Sequence, residues 1–220
     1  MKNYSLPSQK ECFDITKKLN VPPHIVRHNQ TVAKLGVFLA QKLKENSIAI
    51  DLELVEKACL LHDIARLCDL KESNYNNFGR DASEQQQQTW KRLKTKFKAA
   101  SHEDIAYELL KEKYPVLALT IKKHRYAALS DEIDRPDTWE EKIVYYADKR
   151  VMHDMIVTLK ERLEEAHQRS ASMRNINEQS KIDTEKIDQL IFKLEQEIFA
   201  KIDLDPLEVT EEFIDSHSNT

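Results

Sequence analysis

Apolar residues recur every three or four positions along most of this chain, a spacing that predicts amphipathic α-helices around a common core. Ser8 with Glu11 forms a capping-box pattern, which predicts a short helix ending near Leu19. A second helix is predicted to begin at Pro23. One face of it carries Ile25, His28, Val32, Leu35, Leu39 and Leu43. Because His28 shares this apolar face, its side chain is predicted to point inward.

Capping residues predict where three later helices begin, and these are Asp51, Ser101 and Thr138. The helix after Thr138 is predicted to run as far as Val151. The helix that Asp51 caps is predicted to carry the pair His62 and Asp63 in its last turns, and a further helix is predicted to be lined by Leu117, Ile121 and His124. Together these helices place polar side chains at inward or terminal positions. Those side chains are His62 and Asp63, His102, His124 and Asp148.

The stretch from 69 to 100 is polar, which predicts an insertion or a lid, with its four glutamines in a solvated helix that includes Trp90. Residues 1–155 are predicted to form the main domain. Residues 156–207 are predicted to form a C-terminal helical extension packed on it. Ile187, Leu190, Leu194 and Ile198 fall in register there. The acidic residues 208–220 are expected to be a frayed tail.

Composition favours the all-α class, because 220 residues contain only two glycines and six prolines, too few for the frequent turns of a strand-rich fold. A parallel α/β fold ranks a distant second. A net charge of -4 makes duplex nucleic acid an improbable partner. No apolar run approaches the ~18 residues needed to span a bilayer, and the first residues are polar, so a soluble cytoplasmic protein is expected.

Three cysteines, Cys12, Cys59 and Cys68, are odd in number and unpaired in spacing, which argues against a disulfide framework and fits reduced thiols. Cys59 lies on the same turn as His62. It is interpreted as a small core residue rather than as a soft metal ligand.

The adjacent pair His62 and Asp63 carries the clearest chemical signal, since it follows the apolar run Ala58 to Leu61. Burying an imidazole and a carboxylate is unfavourable unless both are satisfied, and one divalent cation satisfies both. Taken singly, a buried histidine is more often a hydrogen-bonded core residue, and a lone aspartate more often a cap. Four histidines and two aspartates gathered by helices instead favour a site for Mn, Fe, Zn or Co.

The order H…HD…H…H…D resembles the HD-domain superfamily of metal-dependent phosphohydrolases. The resemblance runs from about His24 to Val151 and includes the segments "VRHNQTVAKLGVFLA", "ACLLHDIAR", "SHEDIAYELL", "IKKHR" and "EEKIVYYADKRV". It is closest to the HDIG-type branch, with Ala65 in place of the glycine, a change that a helix tolerates. The two additional histidines resemble the dinuclear members, among them the symmetrical dinucleoside tetraphosphate hydrolases.

The resemblance implies an all-α HD-domain helical bundle with a C-terminal helical extension, and a metal site at its centre. His28, His62, Asp63 and Asp148 would hold one ion, and Asp63 would bridge to a second. His102 and His124 would complete that second site. Two metals about 3.5 to 4 Å apart can share a hydroxide and neutralise both the attacking and the leaving oxygens of a phosphate. A mononuclear site suffices for simpler members. Fe or Mn is expected first, with Zn, Co, Ni or Mg as alternatives.

Several cations near these positions could assist. Arg66 lies one helical turn beyond Asp63 and could grip phosphate oxygens bidentately, so it is the first choice for both catalysis and substrate binding. Lys149 could act as a point charge or a proton donor. Lys123 and Arg125 flank His124 and are candidate substrate-binding residues. Each could instead be a solvated surface cation.

The leading hypothesis is an enzyme that hydrolyses a phosphoester or phosphoanhydride of a small metabolite or nucleotide through a metal-activated water. Such an enzyme would be a phosphomonoesterase, a phosphodiesterase or a dinucleoside polyphosphate hydrolase, and would work as a monomer or homodimer. The alternative is a catalytically silent metal- and nucleotide-binding regulatory module. A purely structural helical protein would require the six ligand residues to coincide by chance.

Overall fold

The computed structural model describes residues 4–69, 83–98, 100–173 and 178–217, which fold into ten α-helices. The helices are α1 (Gln9–Lys18), α2 (Pro23–Glu45), α3 (Leu52–Leu61), α4 (Glu84–Lys96), α5 (His102–Leu110), α6 (Pro115–Lys122), α7 (Trp139–Asp148), α8 (Leu159–Met173), α9 (Glu178–Ile202) and α10 (Glu211–His217). Two 3-10 helices, Arg66–Asp69 and Tyr126–Ser130, and a hairpin of β1 (Val151–Met152) and β2 (Met155–Ile156) lie between them. The predicted all-α class is confirmed.

The helix starts predicted from capping residues are confirmed. Ser8 and Thr138 each form a full capping box with the glutamate three positions on. Asp51 accepts hydrogen bonds from two backbone N–H groups of α3, and Ser101 accepts one from the first turn of α5. These side chains satisfy N–H groups that have no partner inside a helix, which fixes where each helix begins.

The core is built where α2, α3 and α7 pack together. Gly36 lies at this crossing, and a Cβ added there would come within 2.9 Å of the Cys59 sulfur on α3 and 3.6 Å of the Ala147 Cβ on α7. The absence of a side chain therefore allows the three helices to approach closely. Cys59 is fully buried, and burial raises the pKa of its thiol, which fits its interpretation as a core residue.

Two helix ends differ from the prediction. The helix after Thr138 ends at Asp148 rather than near Val151, because the chain turns into a hairpin in which Val151 pairs with Ile156. His153 makes the turn with a φ of 58°. Helix α3 ends at Leu61, so His62 and Asp63 follow its last turn instead of belonging to it.

The polar region predicted as an insertion or lid is described only in part, since residues 70–82 and 99 lie outside the described residues. Its glutamines do belong to a helix, α4, whose capping box pairs Ser83 with Gln86. Trp90 is 3% exposed and donates a hydrogen bond to the carbonyl of Asn20. This part of the region is therefore anchored to the loop between α1 and α2.

The C-terminal helices pack on the core. In α9 the predicted Leu194 and Ile198 are buried, whereas Ile187 and Leu190 are only partly buried and Ile191 is fully buried instead. The expected frayed tail is wrong over α10, where Ile214 is 1% exposed. It is ordered because Phe213 packs edge-on against Phe38 of α2. None of the described helices combines the length and apolarity needed to cross a bilayer.

Candidate metal centre

The six ligand candidates come from five separate segments and meet in one place. His28 lies on α2, and His62 with Asp63 follows α3. The other three are His102, the first residue of α5, His124, just after α6, and Asp148, the last residue of α7. His62 is fully buried, and the other five side chains are at most 14% exposed. Helix ends thus surround a polar centre in an apolar core.

The four imidazoles form a row in the order His28, His62, His124 and His102. Their ring centroids are 5.3, 5.0 and 5.2 Å apart along the row. Asp148 lies beside the first half of the row, with its Oδ1 3.1 Å from the Nε2 of His28 and 3.5 Å from that of His62. Asp63 lies beside the second half, with its Oδ1 3.0 Å from the Nε2 of His102 and 3.7 Å from that of His124.

Each imidazole uses its Nδ1 to contact an acceptor on the side away from this centre. The acceptors are the backbone carbonyls of His153, Cys59 and Ile121, for His28, His62 and His124 respectively, and the Asp69 carboxylate for His102. Because carbonyls and carboxylates only accept, each Nδ1 carries a proton. The Nε2 atoms therefore converge on the centre as candidate metal donors.

The residues fit a divalent ion. The Nε2 of His62 is buried and makes no hydrogen bond within the described part of the chain. Among the six ligand candidates, three overlapping sets have donor atoms that all lie within 4.8 Å of one another: His28–His62–Asp63, His62–His124–Asp148 and Asp63–His102–His124. Asp63 joins the first set and the third, so its two oxygens can serve two ions. Imidazole and carboxylate donors suit Mn, Fe, Co and Zn.

Both aspartates are held in their charged form. Burial alone would raise the pKa of the Asp63 carboxyl, but His62, Arg66 and His102 outweigh it and keep that pKa well below its usual range. Burial opposes ionisation of Asp148 as well. Lys149, His28 and His62 overcome it and hold the Asp148 pKa well below normal. The centre therefore keeps two negative charges in an apolar core, which favours a cation between them.

The direction of the pKa shift differs among His28, His102 and His124 according to their carboxylate neighbours. Burial lowers the pKa of His102, but hydrogen bonds to Asp63 and Asp69 outweigh it and raise the pKa to about 9. The pKa of His28 is also raised, because Asp148 outweighs burial. That of His124 is lowered, mainly by burial and also by repulsion from its neighbouring imidazoles. A metal that binds here competes with protons on His28 and His102.

Two of the predicted cations lie at the cluster. Arg66 has its Nη1 3.2 and 3.3 Å from the two ring nitrogens of His102, and its side chain is 44% exposed. It therefore lies between the cluster and solvent, where a substrate could reach it. Lys149 is buried and donates to the Asp148 carboxylate at 2.6 Å and to the carbonyl of His124 at 3.0 Å.

The other two cations are turned away. Lys123 is buried and donates to Glu141 at 2.9 Å. Arg125 donates to Asp134 at 3.0 Å. Lys123 and Arg125 stand on either side of His124 in sequence, and both side chains instead pair with acidic residues outside the cluster. The structure does not bring these two predicted substrate-binding residues to the site.

Sequence reasoning missed three residues near the cluster. Asp69 and Glu103 both contact the Nδ1 of His102, at 2.5 and 3.2 Å. Arg169 of α8 pairs with Glu165 at 3.3 Å, and its pKa is lowered mainly by burial and further by repulsion from Arg66. The sequence does hold a signal for Asp69, which lies three positions after Arg66 on the same 3-10 turn. Arg169 comes from a distant polar helix, where no local pattern marks it.

Comparison with known proteins gives one family and one distant relative. The family model described as HD domain matches residues 25–153, more than half of the chain. A tRNA (cytidine(56)-2'-O)-methyltransferase from Picrophilus torridus is 27% identical over 168 residues, a match that covers 71% of this chain. The chain spans only 40% of the length of that relative. No solved structure matches the chain.

Proposed function

The chain belongs to the HD-domain family, and from that premise we propose that it hydrolyses a phosphoester or phosphoanhydride of a small metabolite or nucleotide. Within the family we propose the HDIG-type branch, with Ala65 at the glycine position. The proposal makes it a metal-dependent enzyme with one or two divalent ions, Fe or Mn first.

The observation that carries this proposal is the buried Nε2 of His62. It makes no hydrogen bond in the described part of the chain, although the carboxylates of Asp148 and Asp63 lie 3.5 and 3.9 Å away. A buried nitrogen lone pair without a partner costs about 1–3 kcal/mol. A cation bound by this nitrogen and by the carboxylates would remove that cost.

In the proposed site His28, His62, Asp63 and Asp148 would hold one ion, and Asp63 with His102 and His124 would hold a second. When bound, such ions lower the pKa of a coordinated water and offset the charge of a phosphate. The protein itself orients the ligands and shields the site. The four Nδ1–H groups orient the rings, and the apolar core around them excludes bulk water from the cluster.

Arg66 is the proposed phosphate ligand. Its side chain reaches the cluster at His102 and is still 44% exposed, so its remaining N–H groups can grip two oxygens of an incoming phosphate. Lys149 is better suited to hold Asp148 in place, because both of its contacts are already inside the protein. The contacts of Lys123 and Arg125 favour a role in supporting the packing of α6 against α7.

One observation favours a second candidate, a metal- and nucleotide-binding regulatory module without turnover. The Picrophilus relative is named for methyl transfer to a tRNA cytidine, and the matched part makes up 40% of it. An HD-like unit that accompanies another activity could sense a nucleotide rather than consume it. The same likeness is the reason to include nucleotides among the substrates tested.

Residues 1–155 are proposed as the HD domain and 156–207 as an extension packed on it. A cytoplasmic location and a monomeric or homodimeric state are also kept as proposals.

The test combines metal analysis with a substrate screen. The purified chain is expected to hold Fe, Mn, Co, Ni or Zn. It should also hydrolyse at least one member of a panel of phosphorylated metabolites, nucleotides and dinucleoside polyphosphates, assayed with Mn, Fe, Co and Mg in parallel. Asp63→Ala should lose bound metal and reduce activity by at least about 100-fold, since one carboxylate serves both ions.

Asp14→Ala is the control, because Asp14 is an exposed carboxylate on α1 whose partner is Lys10. It should keep wild-type metal content and rate. Activity retained in Asp63→Ala would overturn the mechanism. Tight nucleotide binding by calorimetry without phosphate release would favour the regulatory module. A wild-type chain without metal that Mn or Fe does not stabilise would contradict both candidates.

A further inference from the structure

We infer that Asp69 is a positioning residue that sets the orientation and tautomer of His102, and thereby the affinity of the second metal position. This inference rests on the proposed function, since it concerns the ion shared by Asp63, His102 and His124. It assigns a role to a carboxylate that does not itself face the metal centre.

The contact between Asp69 and His102 has two points. The Oδ1 of Asp69 accepts the backbone N–H of His102 at 2.9 Å, and its Oδ2 accepts the ring Nδ1–H at 2.5 Å. One carboxylate thus holds both the backbone and the ring of the same residue. With Nδ1 fixed in this way, the Nε2 is directed at the Oδ1 of Asp63, 3.0 Å away, and at the Nε2 of His124, 3.2 Å away.

His102 differs from the other three histidines in this respect. Their Nδ1 atoms donate to backbone carbonyls, which no substitution removes. The orientation of His102 depends on side chains. A carboxylate partner also makes the opposite ring nitrogen a stronger metal donor than a carbonyl partner does, because it stabilises positive charge on the ring.

Asp69 is better placed for this role than the second carboxylate at the same nitrogen. The Oε2 of Glu103 is 3.2 Å from the Nδ1 of His102, a longer contact than the 2.5 Å contact of the Asp69 Oδ2. Asp69 also lies 3.6 Å from Arg66, the proposed phosphate ligand. The 3-10 turn Arg66–Asp69 therefore supplies both a substrate contact and a ligand support directly after the His62–Asp63 pair.

Asp69→Asn is the sharpest variant because it preserves shape and reverses one hydrogen bond. The amide oxygen can still accept the backbone N–H of His102, but the NH₂ group then faces Nδ1. An Nδ1 that must accept a hydrogen bond leaves its proton on Nε2, where it blocks metal binding. Asp69→Glu keeps the carboxylate and should retain part of the wild-type metal affinity. Glu103→Gln, which changes the more distant carboxylate, is the matched control.

Two measurements test the inference without relying on turnover. Equilibrium dialysis against Mn²⁺ with elemental analysis gives the number of ions per chain and the affinity of each. In Asp69→Asn one of the two ions should lose about 10- to 100-fold in affinity and the other should be unchanged, and Glu103→Gln should have a smaller effect. Ring ¹⁵N NMR of the wild-type chain loaded with Zn²⁺ should show the His102 proton on Nδ1.

Wild-type affinity for two ions in Asp69→Asn would overturn the inference and leave the proposed function standing. A wild-type chain that binds a single ion would do the same, because a mononuclear site can still hydrolyse phosphate. A chain that binds none would overturn both. If Asp69→Asn does not fold, Asp69→Glu and the wild-type NMR spectrum decide, and a proton on Nε2 of His102 in that spectrum would contradict the role of Asp69.

Discussion

At the scale of single residues, the cluster is organised by which nitrogen of each histidine faces inward. Backbone carbonyls and Asp69 occupy the Nδ1 atoms, so the Nε2 atoms, with Asp63 and Asp148, form the centre. Without bound metal, neighbouring carboxylates raise the pKa of His28 and His102, so these imidazoles hold a proton more tightly. His102 lies between Asp63 and Asp69, which raise its pKa to about 9 although burial opposes this.

This pKa predicts a pH dependence for the stability of the metal-free chain. The folded pKa of His102 lies above its unfolded value of about 6.5, so its contribution to stability is fully present below about pH 6.5 and is lost as the pH rises through about 9. In the presence of a chelator, the melting temperature of the wild type should therefore fall relative to that of His102→Gln between these two values. Parallel melting curves across this range would contradict the prediction.

At the scale of elements, the ligands depend on where helices end and how closely they pack. Capping residues at Ser8, Asp51, Ser101 and Thr138 were readable from sequence, because a cap acts within three or four residues of itself. The ends of α3 and α7 were not, because the hairpin beyond Asp148 and the turn at Asp63 depend on contacts with distant segments. The positions of His62, Asp63 and Asp148 do not depend on this error, since these residues lie where the two helices end.

Gly36 gives an element-scale prediction about the α2, α3 and α7 crossing. Gly36→Val should lower the free energy of unfolding by about 1–3 kcal/mol, because even a Cβ at this position would be 2.9 Å from the Cys59 sulfur and 3.4 Å from the Val55 Cγ1. Chemical denaturation measures the change. Gln41→Val, an exposed position on the same helix, controls for β-branching and should cost no more than a few tenths of a kcal/mol. Equal changes in the free energy of unfolding for the two substitutions would show that the helix crossing can accommodate a side chain at position 36.

At the scale of the whole molecule, Arg150 ties the helix that carries Asp148 to the C-terminal segments. It is 2% exposed and donates to the carbonyls of Val157, Pro206 and Val209 as well as to the hydroxyl of Tyr146. Tyr146 in turn donates to Glu195 of α9. Through these bonds the hairpin, α9 and the segment before α10 are all joined to the end of α7.

Arg150→Met should therefore destabilise the chain strongly. The substitution keeps much of the volume but leaves one buried and two partly buried carbonyls without this donor, and Glu195 without its charged neighbour at 3.6 Å. A loss of about 3–5 kcal/mol in the free energy of unfolding is expected, as for breaking a buried ion pair. Arg135→Met, at an arginine whose side chain is 61% exposed and pairs with Asp137, should change it little. A similar small loss in both variants would mean that the C-terminal segments are not held through Arg150.

The sequence by itself determined the helical class, the helix starts and the identity of the six candidate ligands. The helical class and the helix starts follow from the local spacing of apolar and capping residues. The candidate ligands stand out because apolar helices seldom carry histidine and aspartate. Only the tertiary structure decided which ring nitrogens face the centre, that Arg66 reaches it while Lys123 and Arg125 do not, and that Asp69 holds His102. Each of these depends on side chains from distant segments that meet only in the packed chain, and a shift of one position around a helix turns a side chain by about 100°. For the same reason α10, expected to fray, is ordered by Phe38 on a helix far away in sequence.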